Sequence, residues 1–418
     1  MATASSDVLV VGGGIVGAAC ALELQRDGHA VLLIDPGEPE RAASWGNAGH
    51  FAYEQVLPLA GPGLWLQLPR LLFSPESPLS IPPRSLVTLA PWLLRFAWNT
   101  RAAQVRGASA ALASLLAAAP EAWRRLAAAA DLQALIRGGP MLVVARDTAA
   151  LVAKRPLIAE IRRHGISVEE LGPEAARAIE PMLRPGIAGA FVYPDAQHTI
   201  DPGQLTRKVL DAYETLGGKT VADTIRTLRR SGDGQVSVVG DNGSWTARQC
   251  VVSAGIGSRE ILETLGLSVP LAAERGYHLM VPLESGRPTP RVPLIGARPE
   301  FVITPMRTGV RLAGTVEIAP PEAPPNWRRA RMLGKLAEQI IEPLGATPDA
   351  SVWMGCRPTL PDSLPVIGRT PGLPAVIGAF GHQHLGLTLA AITAEIVGAI
   401  ARDRPPPLSL APYSLSRF

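Results

Sequence analysis

The strongest constraint on this chain lies in its first 35 residues. An apolar run, DVLVV, meets Gly12-Gly13-Gly14-Ile15-Val16-Gly17. An Ala-rich stretch, AACALELQRDG, follows, and then a second apolar run, AVLLID, that ends on Asp35. In order these read strand, glycine turn, helix, strand, with G-x-G-x-x-G at Gly12, Gly14 and Gly17. Gly12 allows the tight turn, Gly14 lets a pyrophosphate approach the backbone, and Gly17 lets the helix pack closely on the strand. Ile15 and Val16 open the helix, whose free N–H groups and positive dipole end favour phosphate. Asp35 is placed to accept hydrogen bonds from ribose hydroxyls, and an acid there disfavours a 2′-phosphate. The alternative is an ordinary glycine-rich βα turn. Strand, helix, second strand and terminal acid together favour a dinucleotide site.

Both apolar runs are near-continuous, as in a parallel sheet covered on both faces. The remaining composition fits a large α/β protein. Of 418 residues 47% are hydrophobic and 18% charged, which is enough for an extensive core and more than one domain. No run of 18 or more uninterrupted apolar residues appears, so a spanning helix is not expected. The net charge of +4 has no basic tail behind it, so nucleic acid is not expected as a partner. Cys20, Cys250 and Cys356 are widely spaced without a CxxC, which suggests neither disulfides nor a metal site. Cys20 and Cys250 read as small buried hydrophobes. Met1 to Asp7 lacks the pattern of a signal peptide, so the cytoplasm is the expected location.

Further along, LAPWLLRFAWN reads as a helix, buried in a core or docked on a bilayer, with the core favoured for so short an apolar stretch. ALASLLAAAPEAWRRLAAAADLQAL is helical, with Gly138-Gly139-Pro140 expected to end it before the strand MLVVA. GIAGAFVYPDAQHTIDP reads as strands and a turn. Pro202 to Leu216 and Asn326 to Ile341 read as helices. Near the end come a strand (PAVIGAF), a turn (GHQHLG) and a last helix, before a Pro-rich tail, RPPPLSLAPYS, expected to pass from ordered to frayed.

Several separated motifs then agree: ASWGNAGHFAYEQ after Asp35, VVSAG in the middle, GCRPTLPDSLPVIGRTPG, and GAFGHQHLGLTLA near the end. Together they make the chain resemble the D-amino-acid oxidase/dehydrogenase superfamily along its whole length. Within it the chain is most similar to bacterial D-amino-acid dehydrogenases, and ASWGNAGHFAYEQVLPLA resembles the D-hydroxyproline dehydrogenase branch. The resemblance implies a Rossmann-type, glutathione-reductase-like FAD-binding domain with a discontinuous mixed-sheet α+β substrate domain. The expected ranges are 1–55, 195–270 and 345–418 for the first and 56–194 and 271–344 for the second. It also implies non-covalent FAD. Ser44, Gly46, Asn47 and Ala48 would run along the pyrophosphate and flavin, and Ala254 and Gly255 would pass close by. Gly381, His382, Gln383, His384 and Leu385 would bring backbone N–H groups to the flavin's pyrimidine end. Such a loop entering a helix can stabilise negative charge on a reduced flavin.

By the same resemblance Arg357 takes the substrate carboxylate, for which a guanidinium offers a two-pronged fork. Tyr277 would help hold that carboxylate, the alternative being a core tyrosine. His278 would point the opposite way on a strand. His50 would face the substrate or simply pack. The His382-Gln383-His384 run departs from the family pattern, and two histidines without a carboxylate are a weak metal signal. Cys356 falls where some sarcosine-oxidase relatives attach flavin covalently, but Arg357-Pro358 follows the non-covalent branch. The implied reaction is oxidation of a Cα–N bond by hydride transfer to flavin N5. The electrons would pass to a quinone or similar acceptor. The substrate would be a D-amino or imino acid such as D-proline or cis-4-hydroxy-D-proline. The competing readings are a glycine- or sarcosine-type oxidase using oxygen, a binding subunit or tRNA-modifying flavoprotein, and an NAD-dependent dehydrogenase that leaves GHQHLG unexplained.

Overall fold

The structure is a computed structural model that describes residues 5–61, 79–232, 234–282, 286–345 and 349–418. In chain order it opens with β1 (Ser5–Val11), α1 (Ile15–Arg26), β2 (Val31–Asp35), β3 (His50–Phe51) and β4 (Leu79–Ser80). There follow α2 (Leu86–Asn99), α3 (Ala102–Ala129), β5 (Ile136–Ala145), α4 (Thr148–Arg163), β6 (Glu169–Leu171), α5 (Pro173–Ile179) and β7 (Gly189–Thr199). Next are α6 (Pro202–Thr215), β8 (Lys219–Ala222), β9 (Ile225–Arg230), β10 (Val236–Gly240), β11 (Ser244–Val252) and α7 (Ser258–Glu263). The last third holds β12 (Ala272–Pro282), β13 (Leu294–Gly296), β14 (Val302–Met306), β15 (Gly309–Ile318), α8 (Trp327–Ala337), β16 (Ser351–Thr359), β17 (Val366–Thr370), β18 (Leu373–Phe380) and α9 (Gly386–Ala401).

The first sheet has the order β17-β18-β11-β1-β2-β8, with β9 and β10 folded back antiparallel onto β11. Its centre is parallel, β1 lying between β2 and β11. Alternate residues of β1 enter different cores, Val8 and Val10 on one face and Leu9 and Val11 on the other. This is why the run has no polar positions: both faces are covered. One cover is α1, whose Ala18, Ala19 and Ala21 are fully buried and let it lie close to α9.

The second sheet has the order β16-β12-β15-β14-β13-β5-β7-β3 and is mostly antiparallel, β13 and β5 being parallel. One face packs on α8 through Leu279, Leu312 and Leu333. The other faces the segment at residues 46–48 and the loop at His382. The strands give this sheet more of the chain than the sequence ranges did. His50–Phe51, all of Gly189–Thr199 and Ser351–Thr359 pair within it. Strand pairing is a long-range choice that local periodicity does not carry.

Three local readings change as well. Gly138-Gly139-Pro140 does not end the helix, which stops at Ala129; β5 runs through these residues, with a register irregularity between Gly139 and Met141. Glycine here serves a strand kink rather than a stop. The C-terminal tail is ordered to its end rather than fraying there: buried Tyr413 donates to the Ala111 carbonyl at 2.7 Å, and Arg417 pairs with Asp362 at 2.6 Å. The helix α2 is not a core helix. Trp92 is its one buried residue, while Val87, Leu94 and Trp98 are 82%, 72% and 56% exposed. Two other helices, Ala102–Ala129 and Gln383–Ala401, are long and apolar enough to cross a membrane by length and composition. They pack on each other, and the Trp123 indole donates to the carbonyls of Leu387 and Thr388 at 3.1 and 2.9 Å.

Candidate active site

The glycine turn is built as its residues require. Gly12 has φ +102°, and a Cβ there would lie 2.6 Å from the Ser253 carbonyl and 2.7 Å from Ala254 Cα. A Cβ on Gly17 would lie 1.8 Å from the Gly12 oxygen. Gly14 precedes the first helical residue of α1. The Ile15 N–H donates to Ser44 Oγ at 2.9 Å, so Ser44 caps the helix from outside. Val16 and Gly17, in the first turn, have no intrahelical acceptor to reach. Asp35 ends β2, and its carboxylate takes the N–H groups of Gly13 at 2.7 Å and Gly37 at 2.9 Å. The same carboxylate thus fixes the turn it serves. Ala254 packs against Gly12, and Gly255, at φ +58°, turns the chain after β11.

From Ser44 the chain runs to Ala52, whose N–H donates to Thr388 Oγ1 at 2.9 Å near the start of α9. This segment links the N-terminal ends of α1 and α9. Its middle is held by buried side chains of the second sheet. The Gly46 carbonyl is 2.8 Å from His278 Nδ1. The Asn47 carbonyl accepts from Arg311 at 2.6 Å, and the Ala48 carbonyl from Thr304 Oγ1 at 2.8 Å. Trp353 stacks on His278, with 5.1 Å between ring centroids, and lies over Gly46, where a Cβ would come 2.3 Å from the indole. Asn47 braces the turn itself, from its amide to the Ser44 carbonyl and from the Gly49 N–H to its oxygen.

Arg357 and its neighbours occupy the same face of the sheet. In β12 and β16 the residues Glu274 and Arg357 stand directly opposite. The guanidinium donates to Glu274 Oε1 at 2.7 Å, and Thr359 Oγ1 donates to Oε2 at 3.0 Å. Gly276 makes room for it, since a Cβ there would lie 2.8 Å from Arg357 Cζ. Tyr277 is on the opposite face. Its hydroxyl donates to Glu317 at 2.7 Å and accepts from the Asn326 N–H at 3.1 Å, and Trp327 of α8 meets its ring edge-on. Burial, and then the Glu317 hydrogen bond, push its phenol up to about 12. Arg275 is beside it, paired with Glu317 at 3.1 Å. The structure therefore does not bring Tyr277 to Arg357, because strand alternation separates them. His278 does lie opposite to Tyr277, and it is the one facing the cofactor loop. Cys356, alternating with Arg357, is on the Tyr277 face, with its thiol pushed up by burial.

His50 lies at the start of β3, paired in register with His198. Its Nε2 is 2.9 Å from Glu54. Burial, the largest influence, opposes its charged form, yet the charge and hydrogen bond of Glu54 and the Gln197 backbone raise it overall. Burial pushes His278 down to about 3, helped by the charge of Arg311. The last loop follows β18. Gly381 has φ +81° and Gln383 has φ +51°. His382 is bonded through Nε2 to Thr393 Oγ1 at 3.0 Å and is pushed down to about 3 by burial. His384 is also pushed down by burial, and its imidazole feels Glu274 and Arg357 most among nearby charges. Leu385 is buried and leads into α9. The loop is tied to the Arg357 strand by a bridge between Thr359 and His382.

Sequence reading missed Glu274, Arg311 and Thr304. The signal was there in part: Glu274 and Arg311 are charges inside strands that are otherwise almost wholly buried. Such charges persist only when paired or hydrogen-bonded.

A glycine cradle at a helix N-terminus, a ribose-side acid and a second helix N-terminus facing an arginine-bearing sheet define a dinucleotide-dependent redox enzyme. The model of the FAD dependent oxidoreductase (DAO) family matches residues 7–400, and the chain belongs to that family. Among curated proteins it is 35% identical to a D-amino-acid oxidase of Bradyrhizobium diazoefficiens, over 98% of each chain. It is 31% identical to D-amino acid dehydrogenase 2 of Ralstonia nicotianae, over 98% of this chain and 100% of the relative. Glycine oxidase from Geobacillus kaustophilus shares the fold, with a TM-score of 0.75 at 21% identity over 99% of each chain. The cofactor is FAD, and the residues present fit it. The space that a Cβ at Gly12 or Gly17 would fill is already occupied by backbone, so the turn stays bare for a pyrophosphate.

Proposed function

We propose that the chain oxidises the Cα–N bond of a D-amino acid. The observation that carries this reading is the placement of Arg357. It stands on the sheet face turned to the cofactor loops, and among the described residues only Glu274 takes a hydrogen bond from it. One edge of the guanidinium is fixed, and the rest of its fork is available to a substrate carboxylate. The names of the 35% and 31% identical relatives support a D-amino acid as substrate. D-proline and cis-4-hydroxy-D-proline are the finer candidates.

In this reading the first sheet, with α1 and α9, holds FAD, and the second sheet covers the flavin. Bound flavin supplies the hydride acceptor. The protein's share is positioning: Arg357 orients the carboxylate, Glu274 holds the guanidinium, and Gly276 gives it room. Tyr277 has no direct part, and Glu274 takes the place of the expected second partner of Arg357. The site is tested by mixing the oxidised holoenzyme anaerobically with D- and L-amino acids, including the proline and hydroxyproline isomers. D-amino acids should bleach the flavin and their L-isomers should not. Failure of every D-amino acid would sink the reading.

For the acceptor, the exposed face of α2 supports a membrane quinone. Val87, Pro91, Leu94 and Trp98 form one stripe at helical spacing. Residues 79–120 carry Arg84, Arg95, Arg101 and Arg106 and no acid. An apolar stripe among arginines suits the surface of an anionic bilayer. A second reading, with oxygen as acceptor, is favoured by the oxidase name of the Bradyrhizobium relative. Peroxide formed stoichiometrically in air would select it.

A further inference from the structure

Arg311 is a buried charge inside the second sheet. It is 8% exposed, and no carboxylate among the described residues lies within ion-pair distance of it. Its Nε is buried without a hydrogen-bond partner, and its guanidinium donates to the Asn47 carbonyl at 2.6 Å. Burial pulls the guanidinium down to about 10, only partly offset by Asp201, itself engaged by Arg307 at 2.5 Å. A buried charge without a counter-charge is costly, and proteins keep one where something else supplies the opposite sign.

The surroundings say where that opposite charge belongs. Thr304 stands beside Arg311 on β14, and His278, on the other neighbouring strand β12, faces the same loop. Together they take the carbonyls of Ala48, Asn47 and Gly46. Three successive carbonyls are thus turned to the second sheet. Each peptide is planar and trans, so the Asn47 and Ala48 N–H groups point opposite to the Gly46 and Asn47 carbonyls, and they have no acceptor among the described bonds. That row lies between Ser44 at the N-terminus of α1 and Ala52 at that of α9. An FAD with its pyrophosphate on α1 must pass along it to reach the Arg357 face. A row of aimed N–H groups with a fixed cation behind it is an arrangement that stabilises developing negative charge.

We infer that Arg311 is a positioning residue that presents the Asn47 and Ala48 N–H groups to the flavin and raises its electron affinity through a positive charge with no carboxylate partner among the described residues. The charge balance is simple. Oxidised flavin is neutral; a hydride brings two electrons and one proton and leaves one net negative charge on it, as the C–H bond breaks and the substrate becomes an iminium. Arg311 offsets that charge without touching substrate.

Sulfite tests this in the holoenzyme without any amino acid, because it adds its electron pair to oxidised flavin and leaves it anionic. Its binding is read as bleaching of the flavin band, so the result stands apart from the substrate reading. Arg311→Gln keeps a donor for Asn47 and loses the charge; Arg311→Lys keeps the charge. The glutamine variant should bind sulfite at least tenfold more weakly and lower the flavin potential by about 30 mV, the two-electron equivalent of tenfold. The lysine variant should stay within about threefold of the wild type, the tolerance left by its shorter side chain. A glutamine variant that holds flavin with unchanged sulfite affinity overturns the inference. So does a lysine variant weakened as much as the glutamine one. If the glutamine variant does not retain flavin, a lysine variant that binds sulfite at least tenfold more weakly than the wild type overturns the inference, and one within about threefold supports it.

Discussion

The resemblance implies that Arg357 and Tyr277 hold one carboxylate, yet strand alternation puts them on opposite faces of the sheet. Their substitutions should therefore differ in kind. Arg357→Lys keeps a positive charge but loses the planar fork. We expect KM for the amino acid to rise by about tenfold or more, as for one charge-assisted hydrogen bond lost, with kcat changed less; steady-state kinetics on the best substrate of the panel reads it. Tyr277→Phe should leave KM alone. It removes a donor from buried Glu317, so the cost appears in unfolding, at about 1–3 kcal/mol. A raised KM for this variant would return Tyr277 to the site. At this scale the sequence showed the glycines and Asp35 plainly, since their roles follow from backbone geometry and a short spacing. The partner of Arg357 was hidden, because Glu274 is 83 residues away and meets it only through the pairing of β12 with β16.

Elements were easier to recognise than to place. LAPWLLRFAWN is a helix, as its spacing predicted. Whether it faces a core or the outside was not legible, since either role needs the same apolar residues. The exposed stripe makes the outcome testable. Leu94→Asp with Trp98→Asp should abolish sedimentation with vesicles containing anionic lipid. Both residues are exposed, so the change should move stability by no more than about 0.5 kcal/mol per site. Unaltered vesicle binding would dismiss the membrane reading of α2. The tight end of α1 gives the opposite case. Gly17→Ala places a methyl 1.8 Å from the Gly12 oxygen, a contact that backbone cannot accommodate without moving the turn. The purified variant should lose its flavin, seen as loss of the visible absorption.

Across the whole molecule, buried histidines set the acid side of stability. His278 and His382 are held near 3, His198 near 4, each mainly by burial, and His384 is also pushed down. In the unfolded chain each takes a proton near pH 6.5, while in the folded chain it does not. Their stabilisation is present above that pH and is lost as pH falls, at up to about 1.4 kcal/mol per pH unit for each. His50 is shifted upward and works the other way: its contribution is full below pH 6.5 and is lost as pH rises through its raised value. Four groups oppose one, so holoenzyme stability should decline between pH 6.5 and 5. Urea midpoints across that range would show it, and His382→Asn should make the decline shallower. An equal slope in that variant would count against the assignment. The sequence by itself determined the βαβ unit, the dinucleotide and the class of cofactor, because these depend on residues near one another and on backbone shape. Only the tertiary structure decided which side chains share a face. It separated Tyr277 from Arg357, gave Arg357 its partner Glu274, left α2 outside the core, and set Arg311 behind the loop at residues 46–48. Each of these depends on strand register and packing between segments far apart in the chain, and no local pattern encodes them.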